Sequence, residues 1–402
     1  MRGHLKKRGK HYTIVLYMGT GPGGKPEYKW FSATKILSQG RPANKKEAEA
    51  IMNDLIKKVN TGAYVVTEDM TVADYLKFWL THAQTKVAHS TYSRYEGIVK
   101  RHLIPKLGDV KLGKLQAHHL QQMYNDLLKP GSRLDGRPGP LSPRSVRYIH
   151  ATIRRALGQA VYPWKMLATN PSESLELPER KKKDMNVWEE PQVKRFLDFM
   201  KDNSYYALYF LAFATGMRQS EILGLRWRDV YLDIKALAVR QVLEYIGKSV
   251  QFKEPKSQKS RRTISLPSSV VNVLRSYQSE MQAKGEQTKK AAKARDENDL
   301  VFQTRCGTPI NKRNLIRHFS DAQEALNREL VKEDQPLLPR LTFHEIRHTH
   351  ATLLLKAGEP TKVVQERLGH ANIGITSDLY SHVLPNMQAH AADKIQEMLF
   401  NN

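Results

Sequence analysis

The spacing of apolar and polar positions divides the chain into three stretches of different character. Tyr12–Met18 and Pro26–Ala33 alternate with a period of two and are separated by turn material from Gly19 to Gly24, which predicts strands joined by a turn. The N-terminus begins basic, but its apolar stretch is short and alternates with Thr and Tyr, so it reads as a strand, not as a signal peptide. Asn44, with Glu47 three residues on, forms a capping-box pattern, and Ala48, Ile51, Leu55 and Val59 mark the buried stripe of the helix that follows. Residues 1–65 are expected to form a small unit of their own, a three-stranded sheet plus one helix.

Residues 70–178 carry helical spacing only. Thr71 to Asp74 is a second capping box, followed by Tyr75, Leu76, Trp79 and Leu80. A second helix is expected over Thr91–Leu103, stopping before Pro105, and a third over His118–Leu128. The fourth has Ser142 at its N-cap, Pro143 at its first position, and Val146, Ile149, Ile153 and Leu157 one turn apart. The charge run Glu179–Asp184 has no apolar periodicity and reads as a linker. From Trp188 onward the pattern is mixed, with strands predicted near Ala236–Leu243 and Thr263–Leu266. Residues 283–298 look like an exposed insertion, and 386–400 form an amphipathic tail with Met387, Ala391, Ile395, Met398 and Leu399. The expected fold class is multidomain: a small α+β N-terminal domain (1–65), an all-α domain (70–178), and a mixed α/β, mainly helical domain (185–402). A chain of 402 residues is long enough for two or three cores.

Charge changes the picture more than length does. Lys and Arg total 65 against 40 Asp and Glu, a formal charge of +25. Such an excess suits a protein that follows a phosphate backbone, where each neutralised phosphate releases counterions. Ribosomal assembly or plain solubility by self-repulsion are the alternatives. Lys6, Lys7, Arg8, Lys10, Lys25, Lys29 and Lys35 lie on or near the predicted strands. Lys86, Arg94, Lys100, Arg101, Arg144, Arg147 and Arg154 lie on the helical stretch. One cysteine, Cys306, excludes a disulfide within the chain and points to a reducing, cytoplasmic compartment. No run of about 18 apolar residues suggests a membrane span.

Candidate chemistry gathers in the last 185 positions. ATGMRQSEILGLRW, EPKSQKSRRTISLP, LTFHEIRHTHATLLLKAG and ERLGHANIGITSDLYSH contain Arg218, Lys256, His344, Arg347, His370 and Tyr380. A phosphodiester resists attack because its charge repels nucleophiles and its alkoxide leaves poorly. Catalysis needs cations at the non-bridging oxygens, a placed nucleophile, and an acid for the departing oxygen. Arginine offers a permanently charged fork for the first task. Arg218 follows Thr215-Gly216 at the end of an apolar helix and precedes Ser220-Glu221 at the next, a junction that can aim a side chain inward. Glu221 is expected to order Arg218 or the helix start. His344 and Arg347, at i and i+3, share a helix face.

His344-Glu345-Ile346-Arg347-His348 also matches HExxH, in which two histidines bind zinc and the glutamate is a base. Arg347 would then place a cation beside the metal, no convincing third ligand follows, and the other segments would go unexplained. His348 and His350 are expected to be packed helix residues. No metal or other cofactor is implied.

Taken together, the four segments resemble the tyrosine recombinase (phage-type integrase) family. The resemblance is strong over 185–385. It is weaker over 70–178, which is similar to the family's helical core-binding domain, and over 1–65, which is similar to its arm-type DNA-binding domain. It implies that Tyr380, ten residues after His370, is the nucleophile and that Arg218 and Arg347 clamp the phosphate. In the same scheme His344 assists proton transfer at the tyrosine, His370 hydrogen-bonds the phosphate, and Lys256 protonates the departing 5′ oxygen. Lys259 in the same turn is an alternative to Lys256. The implied activity is site-specific DNA recombination through a 3′-phosphotyrosine, without metal or ATP. The implied partners are double-stranded DNA at core and arm-type sites, three further copies of the chain, and accessory directionality and DNA-bending proteins. A type IB topoisomerase-like nicking-closing enzyme and a non-catalytic DNA-binding protein are the rival readings.

Overall fold

A computed structural model describes residues 3–20, 26–37, 41–60, 70–179, 185–247, 249–255, 260–286, 299–369, 374 and 395–399. The chain divides into two compact units, Met1–Lys182 and Lys183–Asn402. Among the described residues, no helix is long and apolar enough to cross a membrane.

The first unit opens with an antiparallel sheet in sequence order, Gly3–Arg8, His11–Thr20 and Pro26–Ser32. A register shift between Tyr17 and Gly19 interrupts its second pairing. The basic N-terminal stretch is thus two strands turning at Gly9, whose positive φ of 59° suits glycine. The Lys45–Asn60 helix starts as its sequence dictates: Asn44 Oδ1 accepts from the Glu47 N–H at 2.8 Å, and Glu47 Oε2 accepts from the Asn44 N–H at 2.9 Å. Ile14, Leu16, Phe31, Ala48 and Leu55 form the core between sheet and helix. Ile51 packs beside it, and the side chain of Val59 lies outside the described residues.

A separate core belongs to the helices Val72–Lys86, His89–Ile98, Ala117–Leu127 and Pro143–Val161. Thr71 and Ser142 cap their helices through side-chain oxygens. Trp79, fully buried, anchors the bundle and donates its indole N–H to Gln159 Oε1 at 2.6 Å. The second helix does not stop before Pro105. It passes through a π turn at Val99–Leu103 and restarts as Ile104–Leu107 with Pro105 in its first turn. The chain is helical on both sides of Pro105, and the wider π turn just before it carries the helix past a residue that has no N–H to donate.

Among its described residues, the second unit is mainly helical with two small sheets. Val230–Tyr231, Ala236–Val239 and Arg262–Ser265 pair antiparallel, and Val242–Ile246 pairs with Ser249–Lys253 as a hairpin. The single strand expected over Ala236–Leu243 is therefore two strands in different sheets. The chain breaks at Arg240–Gln241, and the Gln241 side chain donates from Nε2 to the Gly224 carbonyl at 2.9 Å. The core runs from Trp188, stacked on Phe213 with ring centroids 5.7 Å apart, through Phe196 and Phe319 to Phe343 and Ile346. Trp188 also fastens two elements that frame the site: its backbone N–H donates to Thr349 Oγ1 at 3.2 Å and its indole N–H to the Pro339 carbonyl at 2.7 Å. A smaller cluster of Ala351, Leu355, Val364 and Leu368 locks the Phe343–Lys356 and Thr361–Leu368 helices together.

Of the expected linker, Arg180–Asp184 lies outside the described residues, as do residues 287–298 of the expected insertion and most of the tail. Ile395–Leu399 is helical, with Ile395, Met398 and Leu399 exposed.

Candidate active site

Two helix ends and one helix face converge on a single turn of backbone. The apolar helix Tyr206–Thr215 ends at Gly216, whose φ of 61° is left-handed. A Cβ there would stand 2.7 Å from His350 Cδ2 and 2.8 Å from Leu368 Cδ2, so glycine is required by conformation and by space. The chain then extends through Arg218, at φ −68° and ψ 147°, into the short helix Gln219–Leu223. Opposite, Thr361–Leu368 ends at Gly369, also left-handed at φ 67°.

The last carbonyls of that second helix have no intrahelical donors. Three consecutive ones are taken by three arginines from different parts of the chain. Arg262 Nε donates to the Arg367 carbonyl at 2.7 Å, Arg347 Nη2 to the Leu368 carbonyl at 2.7 Å, and Arg218 Nη2 to the Gly369 carbonyl at 3.1 Å. Cations at a helix carboxyl end are also favoured by its dipole. Arg347, 2% exposed, additionally donates to the Gly216 carbonyl at 3.0 Å, which ties the two glycine-ended helices together.

Glu221 sits beneath this group, 1% exposed. It accepts from Arg218 Nη1 at 2.7 Å, from the Arg218 backbone N–H at 2.9 Å, and from both terminal nitrogens of Arg262 at 2.9 and 3.2 Å. Burial alone would push its carboxyl up. The Arg262 hydrogen bonds and the charges of Arg262 and Arg218 outweigh that and hold it below the ordinary range. Glu221 thus orders Arg218 as its position in the sequence suggests.

Arg347 projects from the Phe343–Lys356 helix, where Thr342 and Glu345 form a capping box. The Glu345 carboxylate is committed to the Thr342 N–H, so the glutamate of the HExxH pattern serves as a cap. His344, one turn before Arg347, is exposed. Its imidazole is still pushed below the usual value, first by the protein packed around it and then by the charges of Arg347 and Arg218. Its ring meets that of His348 edge-on, with centroids 5.0 Å apart. Burial, then His344 and Arg347, push His348 down to about 4.

His350 is buried beneath the turn. Its Nδ1 lies 2.8 Å from the Phe213 carbonyl, and its Nε2 accepts from Arg367 Nε at 3.2 Å, a pairing that fits the neutral Nδ1–H tautomer. Burial and the Arg367 charge push it down to about 3. Arg367 continues the frame by donating to the Ala214 and Ser265 carbonyls at 3.0 and 3.2 Å.

The structure therefore brings Arg218, His344 and Arg347 together. Lys256 and its alternative Lys259, between Pro255 after the hairpin and Ser260, lie outside the described residues. So do His370, the residue after Gly369, and Tyr380. Arg262 and Arg367 were not singled out by the sequence pattern. The signal that could have found Arg262 is a cation inside the strand-forming run Arg262–Leu266.

A family model described as the phage integrase family matches residues 186–387, and a second, an N-terminal SAM-like domain of phage integrases, matches 71–128. The chain belongs to the phage integrase family. It is a tyrosine recombinase, as expected from the four segments, and its multidomain fold, with a SAM-like helical domain ahead of the catalytic domain, is that of the family. It is similar to a XerC-like tyrosine recombinase of Caldanaerobacter subterraneus, with 27% identity covering 98% of both chains. Its fold is similar to that of a Tn1549 transposon integrase fragment in complex with transposon right-end DNA: TM-score 0.66, 20% identity, 81% of this chain and 99% of that one. It is also similar in fold to a lambda integrase tetramer bound to a Holliday junction, with TM-score 0.54, 15% identity, and coverage of 93% and 94%.

Proposed function

We propose that this integrase recombines specific double-stranded DNA sites of a mobile element, with Tyr380 as nucleophile and Arg218, Lys256, His344, Arg347 and His370 around the scissile phosphate. The Tyr380 oxygen attacks phosphorus, the bond to the 5′ oxygen breaks, and a 3′-phosphotyrosyl ester remains. The departing 5′ oxygen takes a proton from Lys256. The freed 5′ hydroxyl of a partner strand then attacks the ester and gives its proton to Lys256, while His344 returns the proton it took from Tyr380 to the departing phenolic oxygen. The ester conserves the bond energy, so the scheme balances without a metal or a nucleotide.

The observation that carries this reading is the gathering of Arg218 and Arg347 on adjoining carbonyls, Gly369 and Leu368, beside His344. Two fixed guanidinium groups can neutralise the non-bridging oxygens where charge develops. An imidazole held below its ordinary pKa is neutral at pH 7 and can accept the tyrosine proton. His370 follows Gly369 directly and would reach the same phosphate.

Strand exchange between two sites requires four protomers. In this reading the 70–178 domain and the 185–402 domain hold core-site DNA, the 1–65 domain holds arm-type sites, and the tail docks on a neighbouring protomer. Accessory bending and directionality proteins would act through the arm sites.

A nicked DNA substrate that loses its 5′ strand on cleavage tests the proposal. The wild-type protein is expected to become covalently attached and, with intact sites, to join two different duplexes. Tyr380→Phe is expected to bind DNA and form no adduct. Nicking and closing without exchange of partners would favour a topoisomerase, and binding without any adduct would favour a DNA-binding protein.

A further inference from the structure

We propose that Arg262 is a positioning residue for strand cleavage, acting through the Glu221 carboxylate on Arg218 and through the Arg367 carbonyl on the turn before His370. The inference rests on the phosphotyrosine reading above. Arg262 lies at the start of the Arg262–Ser265 strand with its side chain only 6% exposed, and its fork faces the Glu221 carboxylate. Each part of its guanidinium is engaged. Nη2 and Nη1 grip the two Glu221 oxygens, Nη1 also reaches the Ser260 carbonyl at 3.2 Å, and Nε holds the Arg367 carbonyl.

Sharing of the carboxylate decides what Arg218 can do. Glu221 takes a single nitrogen of the Arg218 side chain, Nη1, while Nη2 goes to Gly369, and about a third of that side chain (34%) stays open to solvent. Arg262 occupies the remaining lone pairs of Glu221. Without it, a buried carboxylate would face one cation with unsatisfied oxygens, a costly state. The favourable response is for Arg218 to close on both oxygens as a fork, the geometry that arginine and carboxylate prefer. That movement would withdraw its fork from the phosphate and release the Gly369 carbonyl. Arg262 thereby sets both the aim of Arg218 and the seat of the turn that leads into His370.

The test compares Arg262→Lys and Arg262→Met in the full chain on two DNA substrates. One has an ordinary scissile phosphate. The other carries a methylphosphonate there, in which a methyl group replaces one non-bridging oxygen and removes the charge. On the ordinary phosphate, both variants are expected to cleave at least about tenfold more slowly than wild type, a loss of about 1.4 kcal/mol of transition-state stabilisation. DNA affinity and melting temperature of the Lys variant should stay near wild type. On the uncharged substrate the deficit should shrink severalfold, because an aimed arginine is no longer needed. Wild-type rates, or an equal deficit on both substrates, overturn the proposal, and a variant that only loses its fold falls in the second group. If the wild-type protein forms no covalent adduct on the ordinary substrate, the phosphotyrosine reading fails instead.

Discussion

The Arg347 guanidinium bridges the Gly216 carbonyl at 3.0 Å and the Leu368 carbonyl at 2.7 Å, joining the ends of two helices that lie 152 positions apart in the chain. Arg347→Ala leaves both buried carbonyls without these donors, at about 1–3 kcal/mol each. A loss of about 2–4 kcal/mol in urea unfolding of the catalytic unit is expected, together with loss of cleavage and retention of DNA binding. Unchanged stability would show that the bridge is not a structural tie.

Gly216→Ala tests the same junction from the backbone side. The left-handed φ alone costs about 1–2 kcal/mol for a residue with a Cβ. Contacts of 2.7 and 2.8 Å with His350 and Leu368 would add to that. A melting temperature lowered by several degrees, with cleavage reduced more than DNA affinity, is the expected result. A variant as stable and active as wild type would contradict the packing described.

His350 makes the catalytic unit sensitive to acid. It titrates at about 3 when folded and near 6.5 when unfolded. The unfolded chain therefore binds the proton more readily. The stability that the neutral ring contributes is complete above about pH 6.5 and is lost as the pH falls toward 3. A loss of roughly 1 kcal/mol is expected by pH 5.5, and His350→Gln should flatten the slope of stability between pH 7 and 5.5. The slope should not vanish, because His348, at about 4, works in the same direction. An unaltered slope in the variant would mean that His350 is not held neutral.

Local signals in the sequence proved legible where local chemistry decides. Asn44 with Glu47, Thr71, and Ser142 with Pro143 each start the helix they announce, because a cap is settled within four residues. Trp79 anchors a core that its apolar neighbours predict. The break at Gln241 was not legible, because apolar residues lie on both sides of Arg240–Gln241 and a polar pair there fits a continuous strand as well as a break. Pro105 misled because the wider π turn just before it carries the helix past the proline.

At the site, Arg218 and Arg347 could be named because their surroundings were informative. Arg262 and Arg367 could not. In a chain with 65 basic residues, any one of them reads as a surface charge until its burial and its carbonyl partners are known.

Peptide mapping of the trapped protein–DNA complex tests the central claim most directly. After nuclease trimming and proteolysis, mass spectrometry is expected to find the residual nucleotide on the peptide containing Tyr380, esterified through its phenolic oxygen. A nucleotide on any other side chain, or a complex that dissociates without a covalent bond, would contradict it.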